Sequence, residues 1–237
     1  MRTLVIGDIH GCLTALEGIF ELANLRPDDQ IIALGDYVDR GPDTRSVVDR
    51  MIGLVDSHGL IPLLGNHEEM MMKSRTDKGT MRAWLTFGGR ETLQSYSGSP
   101  RKIDLRDVPD EHWRFFEQNC IDWHETDTHI FVHGCAHPDL PLDMQSAYAL
   151  RWDRFFDPEP HVSGKVMICG HTAQSSGVPR NLGHAICLDT WVYGDGWLSC
   201  LDIESGCVWQ ANVFGDLRSA HIDEFLTEPY SDSVSPF

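Results

Sequence analysis

The chain has 237 residues, 41% hydrophobic and 23% charged, with 21 glycines and 12 prolines, the composition of an ordinary folded domain and not of a fibrous or disordered chain. Its 19 Lys and Arg against 36 Asp and Glu leave a formal net charge of −17, a field that repels nucleic acid and acidic membrane surfaces and speaks against both as partners. Seven cysteines, an odd number with no C-x-x-C pair, argue against a disulfide framework or a thiolate zinc site and point to a reducing cytoplasm.

Leu4-Val5-Ile6 is a short apolar run ending in Gly7-Asp8, too short for a signal peptide, and no later run approaches ~18 apolar residues. Helix-spaced Leu13, Leu16, Ile19 and Phe20 follow, so the unit reads as strand, turn and helix. Ile31 to Leu34 repeats the pattern, ends in Gly35-Asp36, and precedes a helical stretch carrying Val47, Val48, Met51 and Leu54. Leu60 to Leu64 predicts a third strand before Gly65-Asn66. Alternating buried strands and helices imply parallel units, whose ligands bind at the carboxyl ends of the strands. From about 73 to 120 the strand pattern lapses, and Trp84, Leu85, Leu93, Trp113 and Phe116 predict a helical, cap-like insertion. Strand signals resume at Ile130 to Val132, Val166 to Ile168 and Ala185 to Leu188, and Leu198 to Ile203 with Cys207 to Val213 reads as a hairpin. Residues 1–237 thus form one domain with that insertion and a loose tail at about 230–237.

Five short motifs each follow a strand: Gly7-Asp8-Ile9-His10-Gly11, Gly35-Asp36-Tyr37-Val38-Asp39-Arg40-Gly41, Gly65-Asn66-His67-Glu68, Val132-His133-Gly134 and Gly170-His171-Thr172. Together they offer oxygen and nitrogen donors without thiolate, a set that suits Mn, Fe or Zn in a hydrolytic site. Asp36 is assigned between two cations, with Asp8 and His10 completing the first and Asn66, His133 and His171 the second. Two such ions, roughly 3.5–4 Å apart, can share a bridging hydroxide and neutralise a phosphoryl group during in-line displacement. His67 is the candidate general acid, oriented by Asp39. Arg40 is the candidate phosphate grip.

On these motifs the chain resembles the phosphoprotein phosphatase family of calcineurin-like metallophosphoesterases, in particular its short bacterial serine/threonine phosphatase branch, over nearly its whole length. The resemblance implies an α/β fold, a β-sandwich flanked by helices (αββα), and a metallophosphoesterase centre of two divalent metals, often manganese. It also implies a second phosphate-binding arginine. In Leu150-Arg151-Trp152-Asp153-Arg154 the family pattern of tryptophan followed two residues later by arginine puts that role on Arg154, with Arg151 as the competitor. Leu188-Asp189-Thr190-Trp191 departs from the family's aspartate-threonine-glycine, which puts an indole near the mouth of the site or in a rearranged loop.

The expected activity is phosphomonoester hydrolysis on phosphoserine or phosphothreonine in a phosphoprotein, with tyrosine phosphate or small phosphate esters as side substrates. The rival enzyme is a dinucleoside polyphosphate hydrolase, such as one acting on diadenosine tetraphosphate; that sister branch typically carries aspartate where this chain has Glu68. A rival of another class is a non-catalytic phosphate-binding scaffold. Trp84 and Trp113 read as the insertion's own small core or as cleft walls, Met70 to Met72 as helix packing, Glu68 and Glu69 as helix-start residues, and Asp189 as a strand-end structural group. His137 and the remaining histidines read as bystanders.

Overall fold

The computed structural model describes residues 2–99, 101 and 103–227. The expected loose tail at 230–237 lies outside the described residues. The chain opens with β1 (Thr3–Ile6), α1 (Leu13–Ala23), β2 (Gln30–Ala33), α2 (Thr44–His58) and β3 (Ile61–Pro62). The three strands run parallel, Val5 standing opposite Ile32 and Ala33 opposite Pro62. Then come α3 (Asn66–Lys73), α4 (Lys78–Trp84), a π-helical turn (Leu85–Gly89), α5 (Arg90–Ser97) and α6 (Asp110–Arg114). The remainder supplies β4 (Trp123–Glu125), β5 (His129–Val132), α7 (Ala147–Trp152), β6 (Val166–Cys169), β7 (Arg180–Asn181), β8 (Ala185–Cys187), β9 (Leu198–Asp202), β10 (Cys207–Ala211) and β11 (Leu217–His221).

Among the described residues these strands make a six-stranded sheet, ordered β11-β10-β9-β1-β2-β3, and a five-stranded sheet, ordered β4-β5-β6-β8-β7. Alternation along each strand sorts the side chains into three layers. Val5, Ile32, Leu34, Leu201 and Val208 from the first sheet meet Phe131, Ile168, Ile186 and Leu188 from the second. Leu4, Ile6, Ile31 and Ala33 turn the other way, onto Leu16 and Ile19 of α1 and Val47, Val48 and Met51 of α2. On the far side Ile130, Val132, Met167 and Cys169 pack under Leu150 of α7 and Phe155. Central strands are thus buried on both faces, which is why they read in sequence as unbroken apolar runs. Each such Val, Leu or Ile contributes on the order of 1.5–3 kcal/mol through burial. This is the expected mixed α/β sandwich.

The expected hairpin is β9 and β10, antiparallel with Val208 opposite Leu201. Three short strands carry no sequence signal: β4, β7 and β11 lie at sheet edges, and β11 is mostly exposed. The 73–120 stretch is largely helical where described. Its Trp84, Leu93, Tyr96, Trp113, Phe115 and Phe116 join the same apolar cluster as α1 and α2, so this segment shares its core with the main body. No helix among the described residues is long and apolar enough to cross a membrane.

Candidate metal centre

The polar residues that follow β1, β2, β3, β5 and β6 converge at one end of the sandwich. Their backbones are strained there. Of the eight non-glycine residues with positive φ among the described residues, five belong to the motifs: His10 (45°), Asp36 (53°), Asp39 (75°), Arg40 (70°) and His171 (62°). Left-handed backbone at aspartate, histidine and arginine persists only where surrounding contacts enforce it, and it gathers at functional sites. Gly65 is required by close approach, because a Cβ there would stand 2.1 Å from Oδ1 of Asp36.

Asp36 sits in the middle. One oxygen, Oδ2, lies 3.5 Å from Nε2 of His10, and the other, Oδ1, lies 3.4 Å from Nε2 of His133. Two groups of donor atoms share this carboxylate, His10 with His67 on one side and His133 with His171 on the other. Asn66 completes the second group, its Oδ1 lying 3.0 Å from both His133 Nε2 and His171 Nδ1. Asp8 stands outside both groups; its carboxylate accepts the His171 backbone N–H at 3.1–3.2 Å and pairs with Asp189.

The residues present fit divalent cations. Each of three histidines gives one ring N–H to a backbone carbonyl: His10 Nδ1 to Val38 (2.8 Å), His133 Nδ1 to Leu34 (2.8 Å) and His171 Nε2 to Trp152 (2.9 Å). The opposite nitrogen of each ring is thereby delivered, neutral and oriented, to the shared space, as metal-binding imidazoles require. Burial lowers all three pKa values, that of His171 to about 4, which favours the neutral ligand form. Asp36 is buried, yet His133, His67, His10 and His171 together hold it below the usual carboxylate range. Asp8 is pushed well up by burial and by Asp189, and Asp189 is pushed up by burial to about 6. Three buried carboxylates in one place call for cationic charge.

His67 faces the same space. Its Nδ1 donates to Oδ2 of Asp39 at 2.6 Å, and its Nε2 lies 3.1 Å from Nη2 of Arg40. Burial opposes the charged imidazole, but the Asp36 and Asp39 carboxylates outweigh it and raise the His67 pKa. Nη1 of Arg40 reaches His10 Nε2 at 3.3 Å, and the guanidinium lies over the ring of Tyr193 at 4.0 Å. Tyr193 also meets His10 edge-on, with ring centroids 4.9 Å apart.

A cavity of about 550 Å³ opens over these groups, lined by Arg40, Arg154, Phe87 and Tyr148 among others. Arg154 is exposed and reaches it. Arg151, the other candidate for substrate phosphate, lies away from this cavity. Its guanidinium pairs with Glu69 at 3.1 Å and Asp122 at 2.6 Å and lines a separate groove, because α7 turns its side chain away from the site. Trp191 keeps the left-handed backbone that a glycine adopts freely (φ 63°), and its indole packs on Gly194. Of this loop, Tyr193 lines the cavity.

Several roles were invisible in the sequence. Glu68 does more than start a helix: its carboxylate accepts backbone N–H groups from Asp36, Tyr37, Val38 and Gly65 at 2.8–3.1 Å, holding the Asp36 loop in shape. Asp189 sits beside Asp8 within the charged cluster. Trp84 turns its indole N–H onto Asp39. Glu68 and Asp189 did stand at motif positions, in Gly-Asn-His-Glu and in Leu-Asp-Thr-Trp, but residue type and place alone did not show these contacts.

A hydrolytic metal site at the carboxyl ends of a two-sheet sandwich is the class that these features define. The family model for calcineurin-like phosphoesterases matches residues 1–175, and the chain belongs to that family. A symmetrical bis(5'-nucleosyl)-tetraphosphatase of Acidovorax sp. (strain JS42) is 36% identical over 106 residues, covering 44% of this chain and 35% of that protein. Serine/threonine-protein phosphatase 2 of Salmonella typhimurium is 34% identical over 141 residues, 59% of either chain. The chain therefore spans about a third of that tetraphosphatase relative's length. Among solved structures, the cold-active protein-tyrosine phosphatase of a psychrophilic Shewanella species superposes with a TM-score of 0.62 at 14% identity, over 92% of this chain and 80% of that one. At that identity the likeness concerns the fold alone.

Proposed function

We propose that this chain is a metal-dependent phosphomonoesterase whose substrate is phosphoserine or phosphothreonine in a protein. The observation that supports this most is the Asp36 carboxylate, shared between two donor groups beneath the cavity that Arg40, Arg154 and His67 face. In this reading Asp8, His10 and Asp36 hold one divalent ion, and Asp36, Asn66, His133 and His171 hold the other. Manganese suits the hard oxygen and nitrogen donors, with iron or zinc as alternatives. When bound, such ions supply Lewis acidity toward phosphoryl oxygens and lower the pKa of water near neutral pH.

The chain's own groups do the rest. Arg40 and Arg154 grip the phosphate oxygens from two sides and orient the ester. His67 gives the Nε2 proton to the departing alkoxide while its Nδ1–H stays on Asp39, which holds the ring in place and stabilises its charge. All seven cysteines are free, which suits a reducing, cytoplasmic setting.

A second reading is dinucleoside polyphosphate hydrolysis, favoured by the tetraphosphatase relative and by Phe87 and Tyr148, exposed aromatic rings at the cavity that could stack on a base. Glu68 supports the first reading, since the sister branch typically carries the shorter aspartate there. The deciding experiment compares a phosphothreonine peptide with diadenosine tetraphosphate at equal manganese. Higher kcat/KM on the peptide supports the proposal, and preference for the dinucleotide reverses it. Failure to hydrolyse p-nitrophenyl phosphate at all would favour a silent scaffold.

A further inference from the structure

Asp39 is gripped by more than its histidine. Its Oδ1 accepts the Thr92 hydroxyl at 2.8 Å, and its Oδ2 accepts Trp84 Nε1 at 2.8 Å beside His67 Nδ1 at 2.6 Å. The backbone N–H of Asp39 donates to the same Thr92 oxygen at 2.8 Å. Asp39, Trp84 and Thr92 are all 0% exposed. Both partners come from the 73–120 segment, Trp84 at the end of α4 and Thr92 on α5. The π-helical turn between them presses on the neighbouring residue: a Cβ on Gly88 (φ 115°) would stand 2.4 Å from the Arg40 backbone nitrogen.

An indole offers one donor and no acceptor, and a buried carboxylate needs donors on both oxygens. Packing alone would accept any large apolar ring at 84 and any small apolar residue at 92. The polar atoms of both instead aim at one carboxylate, which with His67 has donors on both sides and cannot rotate without losing one.

We propose that Trp84 and Thr92 are positioning residues for proton transfer: they lock the Asp39 carboxylate so that His67 points Nε2 into the cavity. This rests on the reading of His67 as the proton donor. The 73–120 segment, whose Phe87 lines the cavity, thereby also sets the alignment of its acid.

The test uses Trp84→Phe, which keeps a ring and removes the N–H, and Thr92→Val, which keeps the shape and removes the hydroxyl. Thr92→Ser restores the hydroxyl. Each manganese-loaded variant is assayed on p-nitrophenyl phosphate, whose leaving group needs little protonation, and on phenyl phosphate, whose leaving group needs much more. Trp84→Phe and Thr92→Val should lower kcat on phenyl phosphate about 10- to 100-fold and on the nitrophenyl ester no more than about threefold. KM and bound manganese should be unchanged, and Thr92→Ser should stay within about threefold of wild type on both esters. Asp39→Asn, run alongside, should show the same selectivity more strongly.

If Asp39→Asn discriminates between the esters and the Trp84 and Thr92 variants do not, the positioning role is overturned while the acid assignment stands. If none of the three discriminates, the acid assignment falls and the proposal with it. A second readout needs no metal: the hydrogen-bonded Nδ1 proton of His67 should give a downfield NMR resonance that moves upfield in Trp84→Phe and Thr92→Val. An unmoved resonance would also overturn the proposal. Should Trp84→Phe fail to fold, the Thr92→Val and Thr92→Ser pair carries the test alone.

Discussion

Nε2 of His171 donates to the carbonyl of Trp152 at 2.9 Å, so the last residue of α7 sets which nitrogen of that imidazole faces Asn66. Two residues on, Arg154 lines the cavity, while one residue back Arg151 points away to Glu69. The end of one short helix therefore orients the imidazole proposed as a metal ligand and presents the arginine proposed as a phosphate grip.

Arg154→Ala should lower kcat/KM on p-nitrophenyl phosphate about 10- to 100-fold, the worth of a charge-assisted hydrogen bond or two. Arg151→Ala should change kcat/KM less than about threefold and lower stability by about 1 kcal/mol through its lost carboxylate partners. Steady-state kinetics with urea melts of both variants separates the two arginines. A larger kinetic effect at 151 than at 154 would contradict the placement.

Replacing His67 by Asn should reduce kcat on poor leaving groups by about 10²- to 10⁴-fold, the usual contribution of a positioned acid. Metal content measured by elemental analysis should not change. Loss of metal together with activity would recast His67 as a ligand, a role its place in the His10 and Asp36 donor group makes worth checking.

The core strands were legible because each is buried on both faces and ends in a polar motif: the runs at 4–6, 31–34, 130–132 and 166–168 announced themselves. Edge strands β4, β7 and β11 were not, since side chains open to solvent need no periodic pattern. Asp8, His10, Asp36, Asn66, His133 and His171 stood out by residue type and place. Trp84 and Thr92 did not, because a tryptophan and a threonine on helices look like packing, and Asp39 lies 45 and 53 residues away from them in the chain. Tyr193 escaped for the same reason, its partner Arg40 belonging to another strand's loop. Which way Arg151 and Arg154 point depended on the turn at the end of α7, which no sequence pattern announced.

Glu68→Asp shortens the side chain by one methylene, so it should no longer reach all four backbone N–H groups that Glu68 now satisfies. A loss of roughly 2 kcal/mol is expected from buried donors left without a partner. Chemical denaturation of metal-free protein measures it. An unchanged midpoint would show that the Asp36 loop holds its shape without this brace.

One contribution to the pH dependence of metal-free protein comes from His171. Its folded pKa of about 4 lies below the free value of about 6.5, so between these limits the unfolded chain binds more protons. Its contribution is present above pH 6.5 and disappears as pH falls toward 4, by roughly 3 kcal/mol. His171→Asn should therefore lose less stability than wild type between pH 7 and pH 4.5 in urea titrations. Equal losses would mean that His171 is not held neutral by the fold.

The shared carboxylate of Asp36 carries the whole account, and manganese titration followed by electron paramagnetic resonance tests it most directly. Two ions per chain with the signature of a spin-coupled pair are expected for the wild type, and Asp36→Ala should abolish the coupling and most of the binding. One isolated ion in the wild type, or a coupled pair that survives Asp36→Ala, would contradict it.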